Sequence, residues 1–186
     1  MFVDNIRIFA RAGKGGNGLV SFRRAKFVPK GGPDGGDGGD GGSVILEVDP
    51  HTNDLRSFFY DPKLIATDGV GGQSAKKHGK NGKSVIGKVP PGTIIYRSNA
   101  SSMAEATWLE REGEGIELEK IADLTEIGTR FTLCQGGLGG KGNWHFRSAT
   151  NQAPTEAEMG TEGEEGVFFM ELRRIADAGL VGYPNA

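Results

Sequence analysis

Cysteine is nearly absent: Cys134 stands alone among 186 residues. A lone cysteine excludes an internal disulfide and points to a reducing, cytoplasmic setting. No stretch approaches the roughly 18 apolar residues of a membrane-spanning helix. The N-terminus, MFVDNIRIF, lacks the pattern of a signal peptide. Histidine is scarce, and His51, His78 and His145 are too scattered to suggest a metal site by spacing. No Ser/His/Asp arrangement stands out. Helical periodicity is missing except at 104–112, where a short helix is expected. A net charge of −2 gives no overall attraction for a polyanion.

Glycine is what the chain has in excess, 32 of 186 residues, more than twice the usual share of about 7%. Positions 13–42 hold twelve, 69–87 hold six and 136–142 hold five. Clustering of that kind argues for three loops on a folded scaffold, not a low-complexity chain. After Lys30 the chain reads GGPDGGDGGDGG, three copies of Asp-Gly-Gly from Asp34 onward. A polyproline II helix has about three residues per turn and no internal hydrogen bonds. In that conformation Asp34, Asp37 and Asp40 line one edge and the other two edges are bare backbone, open to neighbouring strands. A coil linker needs no such period. The pattern therefore favours a packed glycine bundle over a tether.

The small net charge conceals a polar molecule. From Arg7 to Lys30 there are seven Lys/Arg and no acid; from Lys63 to Lys88 there are six against Asp68 alone. Eight acids crowd 105–126 and five lie between 155 and 166. The basic sets are Arg23, Arg24, Lys26 and Lys30, then Lys76, Lys77, Lys80 and Lys83, then Lys141 and Arg147. Most charge runs are solvated surface. These share one sign, flank loops of little bulk, and lie beside Asn143, Trp144, His145 and Phe146, which add stacking and hydrogen-bonding groups. Cations against phosphates and aromatics against exposed bases suit RNA, or another polyanion.

Alternation predicts strands at 2–10, 44–48, 85–89, 93–96, 116–121, 130–133 and 167–172. Many short strands and no long helix indicate a mainly β fold, an antiparallel barrel or sandwich. Residues 155–166, acidic and poor in apolar side chains, read as a hinge or linker. Near the end, Ala178-Gly179-Leu180-Val181 is a short apolar strand, and Gly182-Tyr183-Pro184-Asn185-Ala186 either opens a phosphate loop or is a Pro-Asn turn. KHGKNGKS at 77–84 contains Gly-Lys-Ser but has Lys77 where a phosphate loop needs glycine. GGDGGDGGS at 35–43 nearly matches a calcium-binding nonapeptide, with Gly42 at the position that should be large and apolar. A calcium-ordered structural or protein-interaction domain is the alternative this leaves.

The stretches AGKGGNGLVSFRRAKFVPKGGPDGGDGGDGGSV (12–44), GKNGKSVIGKVPPGT (79–93), GGLGGKGNWHF (136–146), TNQAP (150–154) and IADAGLVGYPNA (175–186), with Phe2-Val3-Asp4, closely resemble the Obg family of ribosome-associated GTPases. The resemblance implies an Obg domain over 1–159, an eight-stranded β barrel carrying a bundle of glycine-rich polyproline II helices. Residues 160–186 would be the linker and the incomplete start of a GTPase domain. It implies docking on the large ribosomal subunit and its RNA through Arg23, Arg24, Lys26, Lys30, Lys76, Lys77, Lys80, Lys83, Lys141 and Asn143, in subunit assembly and stringent-response control. This chain would carry no cofactor and no catalysis of its own. The parent protein would hydrolyse GTP with Mg²⁺ and bind GDP and guanosine tetraphosphate, Gly182, Tyr183, Pro184, Asn185 and Ala186 being an incomplete phosphate loop. A cytoplasmic monomer is expected. The chain departs from the family at Ala25, where an acid is usual, and in the long acidic segment 98–115.

Overall fold

The computed structural model describes residues 3–24, 26, 31–100, 102–106 and 117–173. Ala25, Lys30, most of the acidic 98–115 segment and the C-terminal phosphate-loop candidate lie outside the described residues, as does most of the helix expected at 104–112, of which 104–106 is helical.

The alternating segments form strands where one face can be buried. The strands are β1 (Asn5–Arg11), β2 (Val44–Val48), β3 (Lys63–Ile65), β4 (Val85–Val89), β5 (Thr93–Ser98), β6 (Leu118–Leu124), β7 (Arg130–Cys134) and β8 (Glu165–Leu172). Five make one sheet, in the order β3-β1-β8-β5-β6, and three make another, β4-β2-β7. Ile8, Leu46, Val48, Ile95, Phe168 and Met170, from both sheets, meet in one core.

The chain is thus mainly β, in two sheets, and among the described residues no ladder joins their edges, so the closed barrel the resemblance implied is not seen. The gap beside β3 and β4 is filled by side chains. Phe58 of a short helix, α1 (Arg56–Tyr60), is buried there against Gly87 of β4, and Leu55, the residue before the helix, is buried as well. Neither α1 nor β3 was expected: five and three residues are too few for a period to register.

The expected boundary at 159/160 falls inside this unit. β8 lies between β1 and β5, with Ile8 opposite Phe168 and Ile95 opposite Met170. Ahead of it, the N–H groups of Glu158, Thr161 and Glu164 donate to Lys141, Leu138 and Gln135 at 2.9, 3.0 and 3.0 Å. The acidic stretch reads as a linker because its partners are backbone groups distant in sequence.

Three excursions leave the sheets and return, giving six extended segments: 12–19, 34–43, 66–73, 76–84, 135–143 and 158–164. Their hydrogen bonds recur at every third residue, whereas a β ladder has a period of two. Gly13, Gly16 and Leu19 donate to the carbonyls of Gly42, Gly39 and Gly36. Gly36, Gly39 and Gly42 donate to Gln73, Val70 and Thr67. Lys76, Gly79 and Gly82 donate to Asp34, Asp37 and Asp40. The 12–19 and 34–43 segments are innermost, each bonded to four others.

Cys134 sits where the bundle meets the core, its thiol 3.7 Å from the Ala10 carbonyl. Burial, then the nearby Glu164 carboxylate, pushes the thiol up to about 12. At pH 8 the native thiol should react with a disulfide reagent on the order of 10³-fold more slowly than in the denatured chain. Equal rates would show that the site is open. Because the thiol is raised, its contribution to stability is whole below about pH 8.5 and is lost as pH climbs towards the native value.

Candidate nucleic-acid interface

Three turns close the excursions at the end of the bundle away from the sheets, at 20–33, 73–77 and 143–157. In the first, Phe22 bridges to Pro33 and the Arg23 N–H donates to the Gly32 carbonyl at 3.0 Å. In the second, Gln73 bridges to Lys77, and Ala75 and Lys76 take left-handed conformations with φ of 61° and 57°. The third opens with a 3₁₀ turn, Asn143–Phe146.

A left-handed non-glycine residue costs roughly 1–2 kcal/mol. The costs are met by Asp34: its carbonyl accepts the Lys76 N–H at 2.7 Å and its carboxylate accepts the Ala75 N–H at 3.2 Å and the Ser21 hydroxyl at 2.6 Å. The Lys76 ammonium stands 4.9 Å from the centroid of Trp144, whose ring lies 3.9 Å from that of His145. His145 Nε2 meets the Asp37 carboxylate at 2.8 Å, and the Gly142 N–H donates to the same group at 2.7 Å. Desolvation raises the Asp37 carboxyl, but the Gly142 N–H and the His145 ring outweigh it, leaving it below the ordinary aspartate value.

Asp34 and Asp37 are thus the anchors that knit the turns together, a role the Asp-Gly-Gly period hinted at without naming their partners. Asp40 does the same lower down, accepting the Gly139 N–H at 2.8 Å. With these carboxylates spent on backbone donors, the calcium-loop likeness finds no support in geometry. Among the described residues no group of three or more His, Cys, Asp or Glu could hold a metal ion.

The expected contact residues do not all reach this end. Arg23, Arg24 and Lys26 are exposed at the first turn, and Arg23 and Arg24 line a cleft of about 770 Å³ with Phe22, Asp34, Ser74 and Ala75. Lys76 and Lys77 stand on the second turn, while Lys80 and Lys83 lie one and two steps back along the 76–84 segment, exposed. Lys141 is exposed but turned to Glu158, 3.8 Å away. Asn143 is fully buried: its side-chain carbonyl accepts the Gly35 N–H at 2.9 Å, and its amide donates to the carbonyls of Ser21 and Pro154, each at 3.0 Å. It clamps the turns and presents no surface for RNA. Lys30 and Gly182 to Ala186 lie outside the described residues.

The GTP1/OBG family model matches residues 3–174. The chain belongs to the GTP1/OBG family. Among curated relatives, this GTP1/OBG chain is 49% identical to the GTPase Obg of Methylacidiphilum infernorum, 50% to that of Chlorobium chlorochromatii and 47% to that of Clostridioides difficile. Each alignment takes in the whole chain and 52%, 50% and 40% of the relative, respectively, so the chain spans about half the length of the relatives it matches. No helix among the described residues is long and apolar enough to cross a membrane.

Proposed function

We propose that the chain is the ribosome-docking module of an Obg-type GTPase, and that the far end of its glycine bundle enters RNA of the large ribosomal subunit. The observation that carries this reading is the convergence of Arg23, Arg24, Lys26, Lys76 and Lys77 with the Trp144–His145 pair on one end of a thin rod. Cations supply salt-dependent affinity for phosphates, and a half-buried indole offers a surface for a splayed base. The six segments act as polyproline II helices; the three-residue bonding period and the φ of −73° and ψ of 165° at Gly142 support this. Cross-linked in this way, the rod is ordered before it binds and loses little chain entropy on docking.

In the longer protein, GTP hydrolysis with Mg²⁺ belongs to the length that the relatives have beyond this match, and GDP and guanosine tetraphosphate would bind there. Docking would then serve subunit assembly and stringent-response control in the cytoplasm, by a monomer.

The test is co-sedimentation of the chain with purified large subunits at low and high salt, with small subunits as control. Selective binding that weakens steeply with salt is expected. Arg24→Glu with Lys26→Glu should weaken it by on the order of ten-fold at low salt, with an unchanged circular dichroism melt. An unchanged binding curve for that variant would remove the first turn from the interface.

A further inference from the structure

We infer that the 76–84 segment is a lateral rail for an RNA backbone, so that the bundle docks with one chosen flank against RNA and not by its end alone. This rests on the RNA-docking reading above. The carbonyls of Lys77, Lys80 and Lys83 accept the N–H groups of Gln73, Val70 and Thr67 at 3.0, 2.9 and 3.2 Å. Three equivalent bonds set the three residues in equivalent orientations, so their exposed side chains leave along one edge, roughly 9 Å apart at the polyproline II rise. His78, Asn81 and Ser84 occupy the neighbouring exposed edge, and Gly79 and Gly82 are turned inward.

What separates this edge from ordinary surface charge is its lack of partners. Among the described residues Lys77, Lys80 and Lys83 form no ion pair. Elsewhere in the bundle the lysines are engaged: Lys14 pairs with Glu162 and Lys141 with Glu158. Both pairs tie the acidic 158–164 segment to its neighbours, and Glu164 accepts the Gln135 N–H at 2.8 Å. That segment is bonded to 12–19 and 135–143, whereas 76–84 is bonded to 34–43 and 66–73. The two therefore lie on different sides of the inner pair. One flank carries uncompensated positive charge in a regular row; the other carries acids that consume the lysines beside them.

A row of point charges with no enclosing pocket and no planar fork reads phosphates and not base edges, so the contact is independent of sequence. The acidic flank repels the same backbone and sets the rotation of the bundle about its own axis. An extended phosphodiester strand is the ligand this geometry fits.

The experiment compares the chain, Lys80→Ala with Lys83→Ala, and Glu162→Lys on the exposed acidic flank, binding purified large subunits over a salt series with hydroxyl-radical footprinting of the RNA. The lysine side chains take no part in the backbone bonds, and a circular dichroism melt checks that each variant folds. The double variant should flatten the slope of log K against log salt by about 0.7–0.9 for each lysine lost. It should also lose protection along one backbone tract while the tract guarded by the turns persists. Glu162→Lys should leave the first tract protected and add none beside it. If the wild-type chain binds and the double variant keeps both slope and footprint, the rail is wrong and the docking reading stands. Retention of slope loss on subunits stripped of RNA would identify an acidic protein partner and overturn the rail. If the wild-type chain binds no subunit, both readings fall.

Discussion

Gly38→Ala is expected to lower the melting temperature by roughly 6–12 °C, from a cost of about 3 kcal/mol or more. Gly38 lies on the inner 34–43 segment, its N–H donating to the Gly140 carbonyl at 2.9 Å. A methyl group built on its Cα would overlap the Gly16 carbonyl oxygen and carbon. Backbone, unlike a long side chain, has no rotamer by which to withdraw. Relief requires the 12–19 segment to move, and that strains its bonds to four neighbours. Two glycines serve as controls. At Gly71 the nearest atom to a new methyl is the Asn17 carbonyl oxygen at 3.4 Å, and at Gly32 it is Arg147 Nη1 at 4.0 Å. Alanine there should change stability by less than about 1 kcal/mol, and could add a little by restricting the unfolded chain. Thermal unfolding of the three variants decides the matter: equal melting points would mean that the glycines are not needed for close approach.

Asn143→Ala should cost about 3 kcal/mol and, under the proposed docking, weaken large-subunit binding as much as loss of an exposed cation, although this side chain is fully buried. It joins three places distant in sequence: Gly35 on an inner segment, Ser21 at the base of the first turn, and Pro154 on the return of the third. Truncation leaves one N–H and two carbonyls without these partners, and a buried unsatisfied group costs about 1–3 kcal/mol. Asn143→Asp separates volume from chemistry. It keeps an acceptor for Gly35 but turns an anion on the Ser21 and Pro154 carbonyls. A carboxyl so placed is raised above its unfolded value of about 3.9. Its penalty is absent below that pH and grows as pH rises through the folded value. The aspartate variant should therefore approach wild-type stability near pH 4 and lose it towards neutrality. A flat difference between the two melts across that range would show that the amide does not donate to those carbonyls.

Much of the fold was legible because its signals are local. Alternation located most of the strands, Val44–Val48 and Val85–Val89 to the residue. The Asp-Gly-Gly period put Asp34, Asp37 and Asp40 on one edge before any neighbour was known. The short elements α1 and β3 were not legible, since both exist to fill the side of the core where the two sheets are not joined. The linker reading of 155–166 erred for a related reason. Apolar poverty marks a segment without a hydrophobic face, and this one is held by backbone hydrogen bonds that need none.

By itself, the sequence determined the mainly β class, the three glycine excursions, their three-residue period and the family. Each is written in residue type and spacing along the chain, which no distant contact can alter. Only the tertiary structure decided which polar side chains are available. Lys141 and Lys83 both stand beside glycines, yet Lys141 faces Glu158 while Lys83 forms no ion pair among the described residues. Asn143 and Trp144 are adjacent, yet one is sealed as a clamp and the other stacks against His145 under the Lys76 ammonium. Pairing depends on which segments the fold sets side by side, and those neighbours lie tens of residues or more away in sequence.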